Sequence, residues 1–199
     1  MFKLIGFASI LGLLGCTASD VPVVNKSPIA ENAQITSQYI ANIRSVYTSI
    51  EPDRCQIIKT NEEDGSSVSR CPGYNNIPVF LEKTQHKDYI SIDSQDNFQE
   101  FPPSNSNFNS LGNKVEWRLR NNKPLAAIYR HHINHPPGIA SVESSYLGVI
   151  KIGTKKEENC IAAFISGSLP NANQTARDYA DENIDSFVCS EQQTEIITN

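Results

Sequence analysis

The chain has no apolar run of the ~20 residues that a transmembrane helix requires; the run over residues 4–14 is far shorter. A spanning helix in the mature protein is therefore excluded. Basic charge is also scarce. Seventeen Lys and Arg stand against 22 Asp and Glu, a net charge of −5 at pH 7. A general nucleic-acid binder needs a clustered basic stripe, and electrostatic adhesion to anionic lipid needs a polybasic segment, so neither is expected. The motifs of common catalytic sites are absent too. Gly148-x-x-x-x-Gly153 lacks the Lys-Ser or Lys-Thr that would complete a phosphate-cradling loop, and the serines after Gly65 and Gly167 lack the G-x-S-x-G elbow. No H-E-x-x-H is present, and no two cysteines have the short spacing of a zinc knuckle. No cofactor is expected, and the chain has no internal repeat.

The N-terminus is informative. Lys3 supplies a positive start, the apolar run follows, and Leu13-Leu14-Gly15-Cys16 closes it. A run too short to span the membrane, flanked in this way, reads as an export signal. The tetrad resembles a bacterial lipobox, in which the cysteine becomes the new N-terminus and its sulfur takes a diacylglycerol. Residues 1–15 are thus expected to be a lipoprotein signal peptide and Cys16 the lipidation site, anchoring the chain to a membrane through its lipid. Thr17 follows the cysteine, where Asp would resemble an inner-membrane retention signal. The expected location is the cell envelope, at the outer membrane and facing the periplasm.

Four cysteines remain, Cys55, Cys71, Cys160 and Cys189, an even number suited to an oxidising compartment. Spacing favours Cys55–Cys71, closing a hairpin-sized loop, and Cys160–Cys189, pinning the last helix to a preceding strand.

Residues 16–35 read as a flexible tether, rich in Ser, Asp and Asn and kept extended by Pro22 and Pro28. Residues 36–190 are long enough for one domain with a single core, and residues 191–199 look like a polar tail. Residues 34–49 can begin with a short helix, although Val46-Tyr47-Thr48 equally suits a first strand. Strands are predicted over residues 54–60, 66–71, 78–82, 88–93, 115–120, 125–131, 146–152 and 158–166, with a long surface loop over 95–113. In residues 115–120, Val115, Trp117 and Leu119 share one face and Glu116, Arg118 and Arg120 the other. Residues 171–187 change period: Ala172, Ala176, Tyr179, Ala180, Ile184 and Phe187 form a helical apolar stripe, with Asp178, Asp181, Glu182 and Asp185 on the outer face. The predicted class is α+β, mainly an antiparallel sheet of short strands with a C-terminal amphipathic helix.

Four segments together resemble a family of exported bacterial proteins of uncharacterised function: Tyr47-Thr48-x-Ile50 with Cys55; Ser66-Ser67-x-x-Arg70-Cys71-Pro72-Gly73-Tyr74; Leu111-Gly112-x-x-Val115-Glu116-Trp117-Arg118; and Lys123-Pro124-Leu125-Ala126-Ala127-Ile128. The resemblance implies a secreted, disulfide-bonded domain with no assigned activity and no catalytic residues to carry over. The lipobox and a histidine cluster are additions to that pattern.

Two constellations carry candidate chemistry. Glu116, Arg118 and Arg130 would share a sheet face if their strands pair, and Arg presents a planar fork suited to carboxylates, phosphates or sugar acids. Such a face is a candidate site for another envelope protein or an acidic glycan. Charge pairs on a solvated sheet face contribute only ~0.2–1 kcal/mol, so this one should add little to folding. The other constellation is Arg130-His131-His132-Ile133-Asn134-His135. His131 and His135 can share a metal if a turn brings them together, with His86 or Glu143 as the nearest further ligands. The expected function is a non-enzymatic binding or structural module of the envelope. The alternative is a metal-dependent hydrolytic enzyme built on His131, His132 and His135.

Overall fold

In the computed structural model, residues 42–98, 108–134 and 144–198 are described. Among the described residues, ten strands and one helix of regular length follow in order: β1 (Ile43–Ser49), β2 (Gln56–Thr60), β3 (Ser67–Cys71), β4 (Val79–Lys83), β5 (Asp88–Ile92), β6 (Phe108–Arg120), β7 (Lys123–Asn134), β8 (Ser144–Lys151), β9 (Cys160–Ser166), α1 (Ala172–Glu182) and β10 (Glu195–Ile197). They build a six-stranded sheet in the order β1-β6-β7-β8-β9-β10 and a four-stranded sheet in the order β2-β3-β4-β5. The fold is α+β and mostly antiparallel.

Turn chemistry sets the hairpins. Asn121 and Asn122 both have positive φ, 51° and 63°, the backbone that joins twisted antiparallel strands in two residues. Gly65 takes φ 69° between β2 and β3, where a side chain would be strained. The Cys55–Cys71 disulfide closes the base of that hairpin, and Cys160–Cys189 ties the start of β9 to the segment after α1. Chain-entropy arguments give each bridge roughly 3–4 kcal/mol.

Packing forms three layers. Cys71, Val79, Leu81, Ile90 and Ile92 of the smaller sheet meet Val115, Trp117, Leu119, Tyr129 and Phe164 of the larger one. The opposite face of the larger sheet packs under α1, where Ala172, Ala176 and Ala180 meet a bed that includes Ala126, Ala162 and Ala163. Small side chains on both sides let the helix lie close. Because the larger sheet is covered on both faces, β9 is buried from Ile161 to Ser166 without alternation. Trp117 is fully buried and its indole Nε1 donates to Thr48 Oγ1 at 2.9 Å. Gly148 faces Tyr129 across the β7–β8 pair, and a Cβ there would lie 2.4 Å from the ring. That glycine therefore serves aromatic packing in the sheet.

Several expectations change. Residues 43–49 form a strand, and residues 34–41 lie outside the described residues. The loop predicted over 95–113 gives way at Phe108 to β6. That strand runs past a register shift between Leu111 and Val115 and continues to pair with β7. The helix ends at Glu182, short of Phe187, and is not the last element. The tail forms β10, parallel to β9, so the sheet is mixed. Side-chain bonds dock it: Tyr179 donates its hydroxyl to Glu195 Oε1 at 3.0 Å, and Thr194 Oγ1 donates to Ile161 O at 2.8 Å. A three-residue strand held this way leaves no periodic signal.

Candidate functional site

Strand alternation turns Glu116, Arg118 and Arg120 to the face opposite Trp117, as the sequence predicts. That face is not solvated, because α1 lies on it. Glu116 and Arg118 are each 8% exposed. Along α1 and just beyond it, Asn173, Arg177, Asp181 and Asp185 recur every four residues, a rise of ~6 Å per step. Alternate residues of a strand advance by ~6.8 Å. The two spacings nearly match, so the helix stripe meets the strand rung by rung.

Arg177 donates from Nε to Glu116 Oε1 at 2.7 Å and from Nη2 to Glu116 Oε2 at 3.2 Å. Arg118 makes a bidentate pair with Asp181, Nε to Oδ1 at 2.9 Å and Nη2 to Oδ2 at 2.5 Å. Arg120 pairs with Asp185 and also donates to the Asp181 carbonyl at 3.0 Å. Ser45 of β1 links the first two rungs, giving its proton to Glu116 Oε1 and accepting from Arg118 Nη1, each at 2.5 Å. Burial pushes the Glu116 carboxyl up, but the hydrogen bonds from Arg177 and Ser45 and the Arg177 charge outweigh it, and its pKa lies below the ordinary value. The Arg177 guanidinium is held more firmly protonated, chiefly by its bond to Glu116.

Arg130 stands on the same side but apart from this ladder. Its Nη1 donates to Ser145 Oγ at 2.9 Å and its Nη2 to Asn173 Oδ1 at 3.0 Å. The structure thus places all three candidate face residues against one helix, and their polar atoms are turned to partners within the domain. Three guanidiniums, of Arg118, Arg120 and Arg177, meet three carboxylates, of Glu116, Asp181 and Asp185. The carboxylates that sequence analysis set on the outer face include two, Asp181 and Asp185, that turn inward to the sheet. It also missed Ser45 and Arg177. The four-residue polar spacing beside the apolar stripe was the available signal.

The histidines separate. His131 is 2% exposed and lies on the inter-sheet side, its ring centroid 6.2 Å from that of Tyr129. Burial, with a smaller contribution from neighbouring His132, lowers its pKa to about 4. His132 follows it on the strand and so turns to the opposite face. Adjacent strand residues cannot share a metal from opposite faces. His135 and Glu143 lie outside the described residues, as does Cys16. His86 is exposed, its ring edge-on to Phe108 at 4.8 Å. Among the described residues, no three His, Cys, Asp or Glu side chains gather as a metal site. None of the helices among the described residues is long and apolar enough to cross a membrane.

Comparison with protein-family models, curated proteins and solved structures finds no match.

Proposed function

We propose that this chain is a bacterial envelope lipoprotein, lipid-anchored through Cys16 at the outer membrane, whose domain faces the periplasm as a non-enzymatic binding or structural module. The observation that carries the reading is the pair of disulfides, Cys55–Cys71 and Cys160–Cys189, downstream of the lipobox tetrad. Stable structural bridges belong to oxidising compartments, and the tetrad supplies both the route there and the anchor. The segment between Cys16 and β1, residues 17–42, spans at most about 90 Å when extended. That length is ample for a domain to stand clear of a bilayer surface. A rigid module of this kind is supported by the way α1 is locked to the larger sheet through the ion pairs of Arg177 with Glu116 and of Asp181 with Arg118.

The test is cell fractionation of Cys16→Ser. The parent chain is expected in the membrane fraction, and the variant should accumulate unprocessed or be released from the membrane. A variant still processed and membrane-bound at the parent level would overturn the anchoring.

A further inference from the structure

The two disulfides differ in what surrounds their sulfurs. Cys71 is fully buried, in the core between the two sheets, so its sulfur meets no reagent while the domain is folded. Attack on the half-buried Cys55 would expel Cys71 as a thiolate into that apolar core, where burial opposes the charge. Cys160 and Cys189 are both half-buried. Cys189 lines a cavity of 290 Å³ together with Lys151, Glu157, Glu158 and Phe187. Its sulfur lies 3.0 Å from the carbonyl oxygen of Glu158, hence at the cavity wall. Lys151 stands directly opposite Cys160 in the β8–β9 pair, which puts both side chains on one face. Its ammonium donates to the Phe187 carbonyl, two residues before Cys189. Among the described residues, Lys151 is the only cation on that wall. Of the two carboxylates there, Glu158 is turned to Thr154, accepting from its backbone N–H and its hydroxyl at 2.9 Å each, and Glu157 is exposed. The docking of α1 does not depend on this bridge. Ile184 and Phe187 beyond the helix are buried, and the ion pairs of Arg177 with Glu116 and of Asp181 with Arg118 tie α1 to β6.

We propose that Cys160–Cys189 is a thiol–disulfide exchange site, which a dithiol opens through Cys189 while the domain stays folded. One thiol of the dithiol loses its proton to water and attacks Cys189 Sγ. A new S–S bond forms there, the Cys160–Cys189 bond breaks, and Cys160 leaves as a thiolate beside the Lys151 ammonium, then takes a proton from water. The second thiol, deprotonated in turn, attacks the dithiol's own sulfur in the mixed disulfide and expels Cys189, which is protonated likewise. The protein bridge gains two electrons, and the dithiol loses two as it closes to a disulfide. Cys55–Cys71 takes no part and remains a fixed brace.

The inference goes beyond the anchoring reading and uses neither Cys16 nor a membrane. The test treats the full oxidised chain, in non-ionic detergent, with dithiothreitol and quenches with N-ethylmaleimide at intervals before peptide mass mapping. Cys160 and Cys189 should be labelled at least about tenfold faster than Cys55 and Cys71. The species with only that bridge open should still melt in one cooperative transition, at a lower temperature, and should reclose in oxidised dithiothreitol. With cysteamine, a monothiol, the first adduct should sit on Cys189, with Cys160 alkylated. Lys151→Gln should slow opening about threefold. Loosening the fold would speed opening instead, so a slower rate reports the ammonium. Two bridges that open at one rate, or only as the folded transition is lost, would overturn the proposal, as would a first adduct on Cys160. An unchanged rate in Lys151→Gln would overturn the part given to that ammonium. Failure here leaves the lipoprotein reading standing, because fractionation of Cys16→Ser decides that one.

Discussion

Replacing Arg118 by alanine separates a solvated charge from a buried one. On an open sheet face its loss would cost less than about 1 kcal/mol. Here the Arg118 and Asp181 side chains are only 10% and 11% exposed, and the pair is bidentate. Removing the guanidinium strands the Asp181 carboxylate, and takes from Ser45 the donor that orients it toward Glu116. Breaking one side of a buried pair costs about 3–5 kcal/mol, because the remaining charge keeps its desolvation penalty. For a domain of this size that is a fall in melting temperature of roughly 6–20 °C. Arg118→Met/Asp181→Leu leaves neither charge of that pair behind and should recover most of the loss. Differential scanning calorimetry on Arg118→Met, Asp181→Leu and the double closes a mutant cycle, with Arg118→Ala measured beside it. Single losses below about 0.5 kcal/mol would refute the reasoning, showing that α1 does not shield the ladder from water.

Trp117→Ala should destabilise the domain by about 3–5 kcal/mol, since the ring is fully buried and bonded to Thr48; a chemical-denaturation loss under about 1 kcal/mol would contradict its place in the core. His131 predicts an acid-sensitive step. Its folded pKa of about 4 lies below the ordinary 6.5, so the unfolded chain takes up its proton first. Stability is then full above pH 6.5 and falls by about 3 kcal/mol as pH drops to 4. Glu116, held below its ordinary 4.5, adds its own loss mainly at lower pH. His131→Phe should flatten the step between pH 6.5 and 4.5, and unfolding curves with the same pH dependence in parent and variant would exclude it.

Much of the fold is legible in the chain because short-range chemistry decides it. The Asn121-Asn122 turn, the alternation around Trp117 and the Cys55–Cys71 bridge each act within a few residues or across one hairpin, and the other two cysteines are left to pair with each other. The ladder of Arg118, Arg177 and Asp181 is different. Whether Glu116 and Arg118 meet water depends on which face of the six-stranded sheet receives α1, and α1 lies some sixty residues away in the chain. Polar residues at a strand's second face read alike under a helix and in solvent. The unbroken apolar runs of β7 and β9 were the sign that both faces of that sheet are covered. The β2 edge was hidden for a similar reason. Ile57 and Ile58 look like core residues until strand order leaves them at the end of a sheet.

The anchor is tested most directly by the mass of the N-terminal peptide from protein extracted out of membranes. The account predicts a chain that begins at Cys16 and carries a diacylglycerol on its sulfur, with Cys55, Cys71, Cys160 and Cys189 all oxidised. A chain that retains residues 1–15, or one cut elsewhere with an unmodified Cys16 thiol, would contradict it.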